Sequence, residues 1–135
     1  MRYYIAYKFL GSDGEELKEK LNTISSVIEE AGHNPFIFFR DIKKWGAIKM
    51  SPDDIINSAF VELKKSDAFF AFVESDEKSE GMLLESGYAK ASNKKIILAI
   101  KKGINLRFLR SIADTIIEFE DLSDLKEKMK DKLGE

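Results

Sequence analysis

A short stretch in the second half of the chain, SEGMLLESGYA (79–89), combines three residue types that could bind and attack a small molecule. Ser79 offers a hydroxyl at a predicted helix start, where anions are favoured. Gly81 lets a ligand approach the backbone closely. Glu85 lies about one turn further in, where a carboxylate could act as nucleophile or base. The residues alone are compatible with an anion or sugar site with one carboxylate, but a capping serine and a solvated glutamate are the more common explanation of such a pattern.

Apolar segments flank this stretch, and their lengths predict strands. The runs 68–73 and 95–100 are apolar on both faces, as central parallel strands are. Three further segments, 2–7, 34–40 and 115–119, are rich in aromatic and β-branched residues. The last of these is expected at a sheet edge.

Helical patterns separate the strands. A helix is predicted to open with Ser12 and Glu15 at capping-box spacing and to stop at Gly32. Another begins with Ser51 as N-cap and Pro52 at the first position. The segments 104–114 and 122–133 predict a short helix and a closing amphipathic helix.

The alternation predicts an α/β fold, with one domain over residues 1–135. We expect a flavodoxin- or Rossmann-like five-stranded parallel sheet, in the order 2-1-3-4-5, with helices on both faces. Ligands in such folds bind beyond the carboxyl ends of the strands. The relevant loops are 8–14, 41–51 and 74–81.

The composition excludes several classes of function. Hydrophobic residues make up 44% and charged residues 34%, which is typical of a globular protein. The net charge of -2 argues against nucleic acid or an anionic membrane as a partner. The sequence has no cysteine, and His33, its only histidine, is predicted to be a capping or surface residue. No membrane span or signal peptide is apparent, so a cytoplasmic location is predicted.

The sequence also lacks the motifs of several functions that are common in this architecture. The first strand leads into YKFLGSDG, which lacks a dinucleotide fingerprint. Tyr7 and Lys8 stand where a phospho-receiver needs acidic metal ligands. A Walker A loop and a Gly-x-Ser-x-Gly elbow are both missing.

The segment 55–101 resembles the nucleoside 2-deoxyribosyltransferase family, including 2'-deoxynucleoside 5'-phosphate N-hydrolases. The pattern is a strand led by Asp, a polar loop with Gly, a Glu-x-Gly-x-Ala motif, and Lys before an apolar strand. The matching residues are Asp67, Gly81, Glu85, Gly87, Ala89 and Lys95.

The resemblance implies roles for several residues. Glu85 would be the nucleophile that attacks the anomeric carbon, as in retaining glycosidases. Ser79 stands where the monophosphate hydrolases hold phosphate and the transferases have Asp. Tyr4 matches an aromatic of the first strand, with Tyr3 or Tyr7 as alternatives. No cofactor or metal is implied.

Two departures from the family pattern stand out. Ala59 occupies the position of an assisting Asp, for which Asn57, Ser58 and Glu62 are weak substitutes. Tyr7 and Lys8 replace a phosphate-wrapping Gly-Ser turn, so Lys8 could meet phosphate by charge instead.

Other residues are assigned by position. Arg40 is a candidate phosphate or base contact, Asp67 a site or turn residue, and Gly87 a packing residue that brings its helix close to the sheet. Trp45 with Phe38 or Phe39 could stack on a base, or pack on the core.

The predicted function is cleavage or transfer of the N-glycosidic bond of a nucleoside or nucleoside 5'-monophosphate. The alternatives are a non-catalytic nucleotide-sensing module and a TIR-like NAD-cleaving domain. The resemblance also predicts a homodimer or larger assembly, in which a neighbouring chain completes the pocket.

Overall fold

The computed structural model describes residues 1–9 and 14–133, which form an α/β fold around one parallel sheet. Its strands are β1 (Arg2–Ala6), β2 (Asn34–Ile37), β3 (Ala68–Val73), β4 (Lys95–Lys101) and β5 (Thr115–Phe119). The order is β2-β1-β3-β4-β5, with every neighbouring pair parallel. The predicted fold and strand order are confirmed, and β5 lies at an edge.

Six helices cover the sheet in the described part of the chain: α1 (Gly14–Glu30), α2 (Phe38–Asp41), α3 (Pro52–Lys64), α4 (Glu80–Ala91), α5 (Arg107–Ile112) and α6 (Leu122–Leu133). Helices α1 and α6 pack on one face, and α3, α4 and α5 on the other. Each face therefore has its own apolar core. None of these helices has the length and hydrophobicity needed to cross a membrane.

Helix ends follow the sequence signals where these are described. Ser51 caps α3 by accepting a hydrogen bond from the Asp54 N–H at 3.2 Å, and Pro52 is its first residue. Gly32 has a φ of +89°, the left-handed conformation that ends α1. The predicted cap Ser12 lies outside the described residues.

The second strand is shorter than predicted. Residues 34–40 were expected to be extended, but the strand ends at Ile37 and a helical turn, α2, follows. The Asp41 carboxylate accepts a hydrogen bond from the Ile37 N–H at 2.9 Å, which closes this turn. A 3-10 turn, Lys44–Gly46, comes next. The helix predicted over 104–114 is also shorter than expected, since α5 covers only Arg107–Ile112.

Candidate active site

Alternation along β1 decides which tyrosine faces which core. Tyr3 and Ile5 pack into the core under α1 and α6. Tyr4 and Ala6 pack into the opposite core, under α3 and α4. Successive side chains of a strand point to opposite faces, so only one of the two adjacent tyrosines can meet α4. That residue is Tyr4, which is 1% exposed.

Glu85 is the residue that Tyr4 meets. The Tyr4 phenol donates a hydrogen bond to the Glu85 Oε2. The Tyr4 ring is itself held between Phe36 and Phe69, with ring centroids 5.4 and 6.0 Å away. These rings belong to β2 and β3, the neighbours of β1 in the sheet. The carboxylate is therefore fixed by a donor that the sheet holds rigidly.

Burial changes the protonation of both groups. Loss of water raises the pKa of Glu85 to about 7, although the hydrogen bond from Tyr4 acts to lower it. Burial, followed by the nearby carboxylate, raises the pKa of Tyr4, so its phenol stays protonated as a donor. Glu85 consequently exchanges its proton near neutral pH, where a carboxylate can serve as nucleophile, acid or base.

Glu85 opens onto a cavity of about 490 Å³ at the carboxyl ends of β1 and β3. This switch point is where ligands of such folds bind. The cavity brings together six of the predicted site residues: Tyr4, Tyr7, Lys8, Ser79, Gly81 and Glu85. We call it the Glu85 cavity.

Ser79 caps the helix that carries Glu85. Its Oγ accepts a hydrogen bond from the Met82 N–H at 3.2 Å. A Cβ added at Gly81 would meet nothing within 4 Å, so open space adjoins the backbone beside this cap. The first turn of α4 therefore faces the cavity with room for a ligand.

Tyr7 and Lys8 line the same cavity from the end of β1. The Phe39 N–H donates a hydrogen bond to the Tyr7 hydroxyl at 2.8 Å, and burial raises the pKa of this phenol. The Lys8 ammonium donates to the Glu77 carboxylate at 2.9 Å, and Glu77 is 73% exposed. Tyr7 is thus part of the frame, whereas Lys8 lies at the rim.

Arg40 and Asp67 do not line the Glu85 cavity. The Arg40 guanidinium donates to the Asp41 carboxylate, the Ser25 hydroxyl and the Pro35 carbonyl. Asp67 precedes β3 and lies at the amino edge of the sheet, opposite the cavity. Its carboxylate accepts from the Arg2 N–H at 2.8 Å and ties β1 to β3.

Gly87 does not have the packing role predicted for it. It is exposed, and an added Cβ would meet nothing within 4 Å. Helix α4 instead packs on the sheet through Met82, Ser86 and Ala89, which are buried. Gly87 faces outward because it lies on the other side of the helix.

The aromatic loop residue Trp45 packs within the protein. Its ring meets Phe39 edge-on at 5.4 Å, and the Lys18 ammonium lies 4.9 Å from its centroid. Trp45 does not line the Glu85 cavity; it packs on Phe39, which in turn packs against the core under α1 and α6. His33 packs beside Tyr3 at 4.8 Å, on the face away from Glu85.

Sequence reasoning missed several cavity residues. Phe9 and Lys78 line the cavity and lie in the loops 8–14 and 74–81, which were predicted to surround the ligand. Neither residue belongs to a sequence motif, so neither was predicted individually. Ala59, the position of the missing Asp, lies in an apolar wall with Phe38, Ile55, Ile56 and Met82. Glu80, the other carboxylate among the lining residues described, is exposed.

The described residues offer no site for a metal: among residues 1–9 and 14–133, no group of three or more His, Asp or Glu side chains could hold an ion. The chemistry available is that of one half-buried carboxylate, two phenols, two lysines and a helix N-terminus. This set suits attack on an electrophilic carbon beside an anionic group.

Solved structures of several proteins share this architecture. The CMP N-glycosidase of Clostridium botulinum has a TM-score of 0.70 and 24% identity, covering 98% of this chain and all of the other. A 2-deoxyribosyltransferase from Bacillus psychrosaccharolyticus has a TM-score of 0.65 and 19% identity, and the match covers 93% of this chain and 90% of the other. The fold is that of the nucleoside 2-deoxyribosyltransferases.

A conserved protein from Enterococcus faecalis adds a third case, with a TM-score of 0.69 and 16% identity over 98% of this chain and 99% of the other. The sequence matches no protein-family model, and no curated protein is significantly similar to it. The resemblance seen in residues 55–101 is thus confirmed by the fold, in a strongly divergent sequence.

Proposed function

We propose that this protein cleaves or transfers the N-glycosidic bond of a nucleoside or nucleoside 5'-phosphate, with Glu85 as the nucleophile. The observation that carries the proposal is the hydrogen bond from the buried Tyr4 to the half-buried Glu85 at the switch point of the sheet. The similar solved structures, a CMP N-glycosidase and a 2-deoxyribosyltransferase, support the same reaction class.

The reaction proceeds in two displacements. A Glu85 oxygen bonds to the anomeric carbon while the carbon–nitrogen bond breaks, and the base leaves with the bonding electrons and takes up a proton. Water, or a second base, then attacks the same carbon and releases the Glu85 carboxylate. The departing base takes its proton from the solvent. An attacking water keeps one proton in the new hydroxyl group and gives the other to the solvent, and an attacking base likewise loses its N–H proton. The two inversions retain the configuration of the sugar.

Each cavity residue has a part in this scheme. Tyr4 orients the carboxylate and stabilises its ionised form by hydrogen bonding. Ser79 and the open backbone at Gly81 receive the 5'-end of the sugar, and Lys8 supplies a positive charge for a phosphate there. Tyr7 shapes the end of β1 through its bond to Phe39. Arg40 and Asp67 stabilise the surrounding fold.

A non-catalytic nucleotide-binding module is the second candidate, and the apolar wall around Ala59 favours it. Ala59 is 3% exposed and has apolar neighbours, so no acidic side chain adjoins the leaving base there. A protein that only binds nucleotides needs the cavity but not the ionised Glu85.

Release of free base distinguishes the two candidates. Wild type and Glu85→Gln are incubated with ribo- and deoxyribonucleosides, their 5'-monophosphates and NAD, and products are separated by chromatography. We expect base release by wild type and a loss of at least about a thousandfold in Glu85→Gln, because the amide cannot form the glycosyl bond. Glu127→Gln, on α6, is the matched control and should keep full activity.

Mass spectrometry identifies the nucleophile directly. Brief exposure of wild type to substrate, followed by denaturation, should yield a sugar-sized or sugar-phosphate-sized adduct on the peptide carrying Glu85. Nucleotide binding without base release would instead favour the sensing module. Base release from NAD alone would favour the NAD-cleaving alternative.

Self-association through the helices beside the site is also part of the proposal. Val61 on α3 is 54% exposed and Leu84 on α4 is 51% exposed, on adjacent helices. A second copy of the chain would bury these side chains. Light scattering should give the mass of a homodimer or larger assembly, and Leu84→Lys should reduce that mass toward one chain. A monomeric wild type would contradict it.

A further inference from the structure

A second cavity of about 300 Å³ adjoins the Glu85 cavity on the far side of the loop that follows β3. Side chains of α1, the end of β3, α4 and the start of α5 line it. Among them are Leu17, Lys20, Glu74, Leu106 and Leu109. Neither Tyr4 nor Glu85 reaches this space, so the chemistry proposed above does not use it.

The two cavities share a wall. Lys8, Lys78, Ser79 and Met82 line both of them. Ser79 is the residue proposed to receive the 5'-end of the sugar. Any group attached beyond a phosphate at Ser79 would therefore pass this wall and enter the second cavity.

The charges at the shared wall suit an entering anion. Glu77 is 73% exposed, and an ion pair with so exposed a partner contributes little to stability. Lys8 can therefore exchange Glu77 for a phosphate oxygen at small cost. The exposed Lys78 brings a second positive charge to the same place.

The interior of the second cavity is different from its rim. Lys20 lies between two carboxylates, 2.6 Å from Glu74 and 2.8 Å from Glu16, so this group of three carries a net charge of -1. Leu17, Leu106 and Leu109 provide apolar surface beside this ion pair. With Lys8, Lys78 and Glu77 of the rim included, the described lining has three lysines and three glutamates, so its charges balance. A space with apolar surface, no net charge and lysines at the entrance fits an organic group that follows a phosphate.

We infer that the second cavity holds the part of the substrate beyond the first 5'-phosphate. This inference rests on the function proposed for the Glu85 cavity and names its substrate class. The preferred substrate is a nucleotide with a 5'-diphosphate, either free or linked to a further organic group. A 5'-monophosphate leaves the second cavity unfilled.

Binding to a variant that cannot consume its ligand tests this directly. Glu85→Gln is titrated by calorimetry with cytidine, CMP and CDP, and with AMP, ADP and NAD as a second series. We expect each diphosphate-containing ligand of the recognised base to bind at least tenfold more tightly than its monophosphate.

Filling the second cavity provides the matched comparison. Leu106→Trp, in the Glu85→Gln background, should abolish the preference for diphosphate while leaving monophosphate affinity within about twofold. Phe108→Trp is the control, because Phe108, two residues further along at the start of α5, is 88% exposed and lines neither cavity. It should change neither affinity. Circular dichroism and thermal unfolding establish that both variants are folded.

The outcomes separate this inference from the proposed function. Equal affinity for mono- and diphosphates, or an equal loss of both in Leu106→Trp, overturns the second-cavity assignment. Base release from CMP but not from CDP by wild type does the same and leaves the N-glycosidase proposal intact. A diphosphate preference without any base release supports the second cavity and overturns the catalytic proposal. Absence of binding in both series and in the matching uridine, guanosine and thymidine series overturns both.

Discussion

The Tyr4 phenol, at the centre of β1, donates a hydrogen bond to the Glu85 carboxylate, on α4, across a separation of 81 residues in sequence. One partner lies in the sheet, and the other lies on a helix packed over it. Tyr4 is buried and Glu85 is half-buried, and together their burial and hydrogen bond set the pKa of Glu85. Several measurable properties depend on this contact.

The rate of base release should depend on pH through Glu85. Because burial raises its pKa to about 7, kcat/KM should rise with pH and level off above that value. Tyr4→Phe removes a hydrogen bond that favours the ionised form, so the inflection should move up by about one pH unit. Tyr88→Phe, which changes a phenol outside the cavity that stacks on Phe60, should leave the inflection unchanged. An unshifted profile in Tyr4→Phe would contradict the assignment.

Stability should also depend on pH through Glu85. A carboxyl group whose pKa rises on folding stabilises the protein below its unfolded pKa and loses that contribution as pH rises through the folded value. A rise from 4.5 to about 7 corresponds to about 3 kcal/mol lost between pH 5 and pH 8. Denaturant unfolding of Glu85→Gln, compared with wild type, isolates this group. Parallel pH curves for the two proteins would show that Glu85 is not buried as described.

The two capping serines allow a matched test of phosphate binding. Ser79 and Ser51 each accept a hydrogen bond from a helix N–H at 3.2 Å. Replacing either with alanine should lower the free energy of unfolding by about 1 kcal/mol. Only Ser79→Ala should also weaken binding of a nucleoside 5'-monophosphate relative to the nucleoside, by roughly tenfold. If both variants change phosphate binding equally, Ser79 acts only as a helix cap and does not bind the phosphate.

Asp67 should affect stability and not substrate binding. Its carboxylate accepts from the Arg2 N–H at 2.8 Å, and Asp114 accepts from the Ile96 N–H at the same distance, just before β5. Both residues tie the start of one strand to its neighbour. Asp67→Ala and Asp114→Ala should each lower the free energy of unfolding by about 1 kcal/mol with KM unchanged. If KM rises in Asp67→Ala but not in Asp114→Ala, Asp67 contributes to substrate binding after all.

The sequence determined the order of elements and much of the fold. Runs such as 68–73 are too apolar and too short for anything but buried strands, and helical patterns between them require parallel crossovers. This is why the strand order was predictable. The end of β2 could not be predicted, because the Asp41 side chain closes the turn at Phe38–Asp41. The spacing of apolar residues does not reveal such a contact.

The site was predictable in part for the same reason. Glu85, Ser79 and Gly81 belong to one continuous segment, so their proximity follows from a single helix start. Which tyrosine reaches Glu85 was decided by the pleat of β1 within the folded sheet, which turns Tyr3 to one core and Tyr4 to the other. Arg40 and Asp67 looked equivalent to Lys8 in sequence, but only tertiary structure places them among structural hydrogen bonds. The raised pKa of Glu85 is likewise a tertiary property, because desolvation comes from residues distant in the chain.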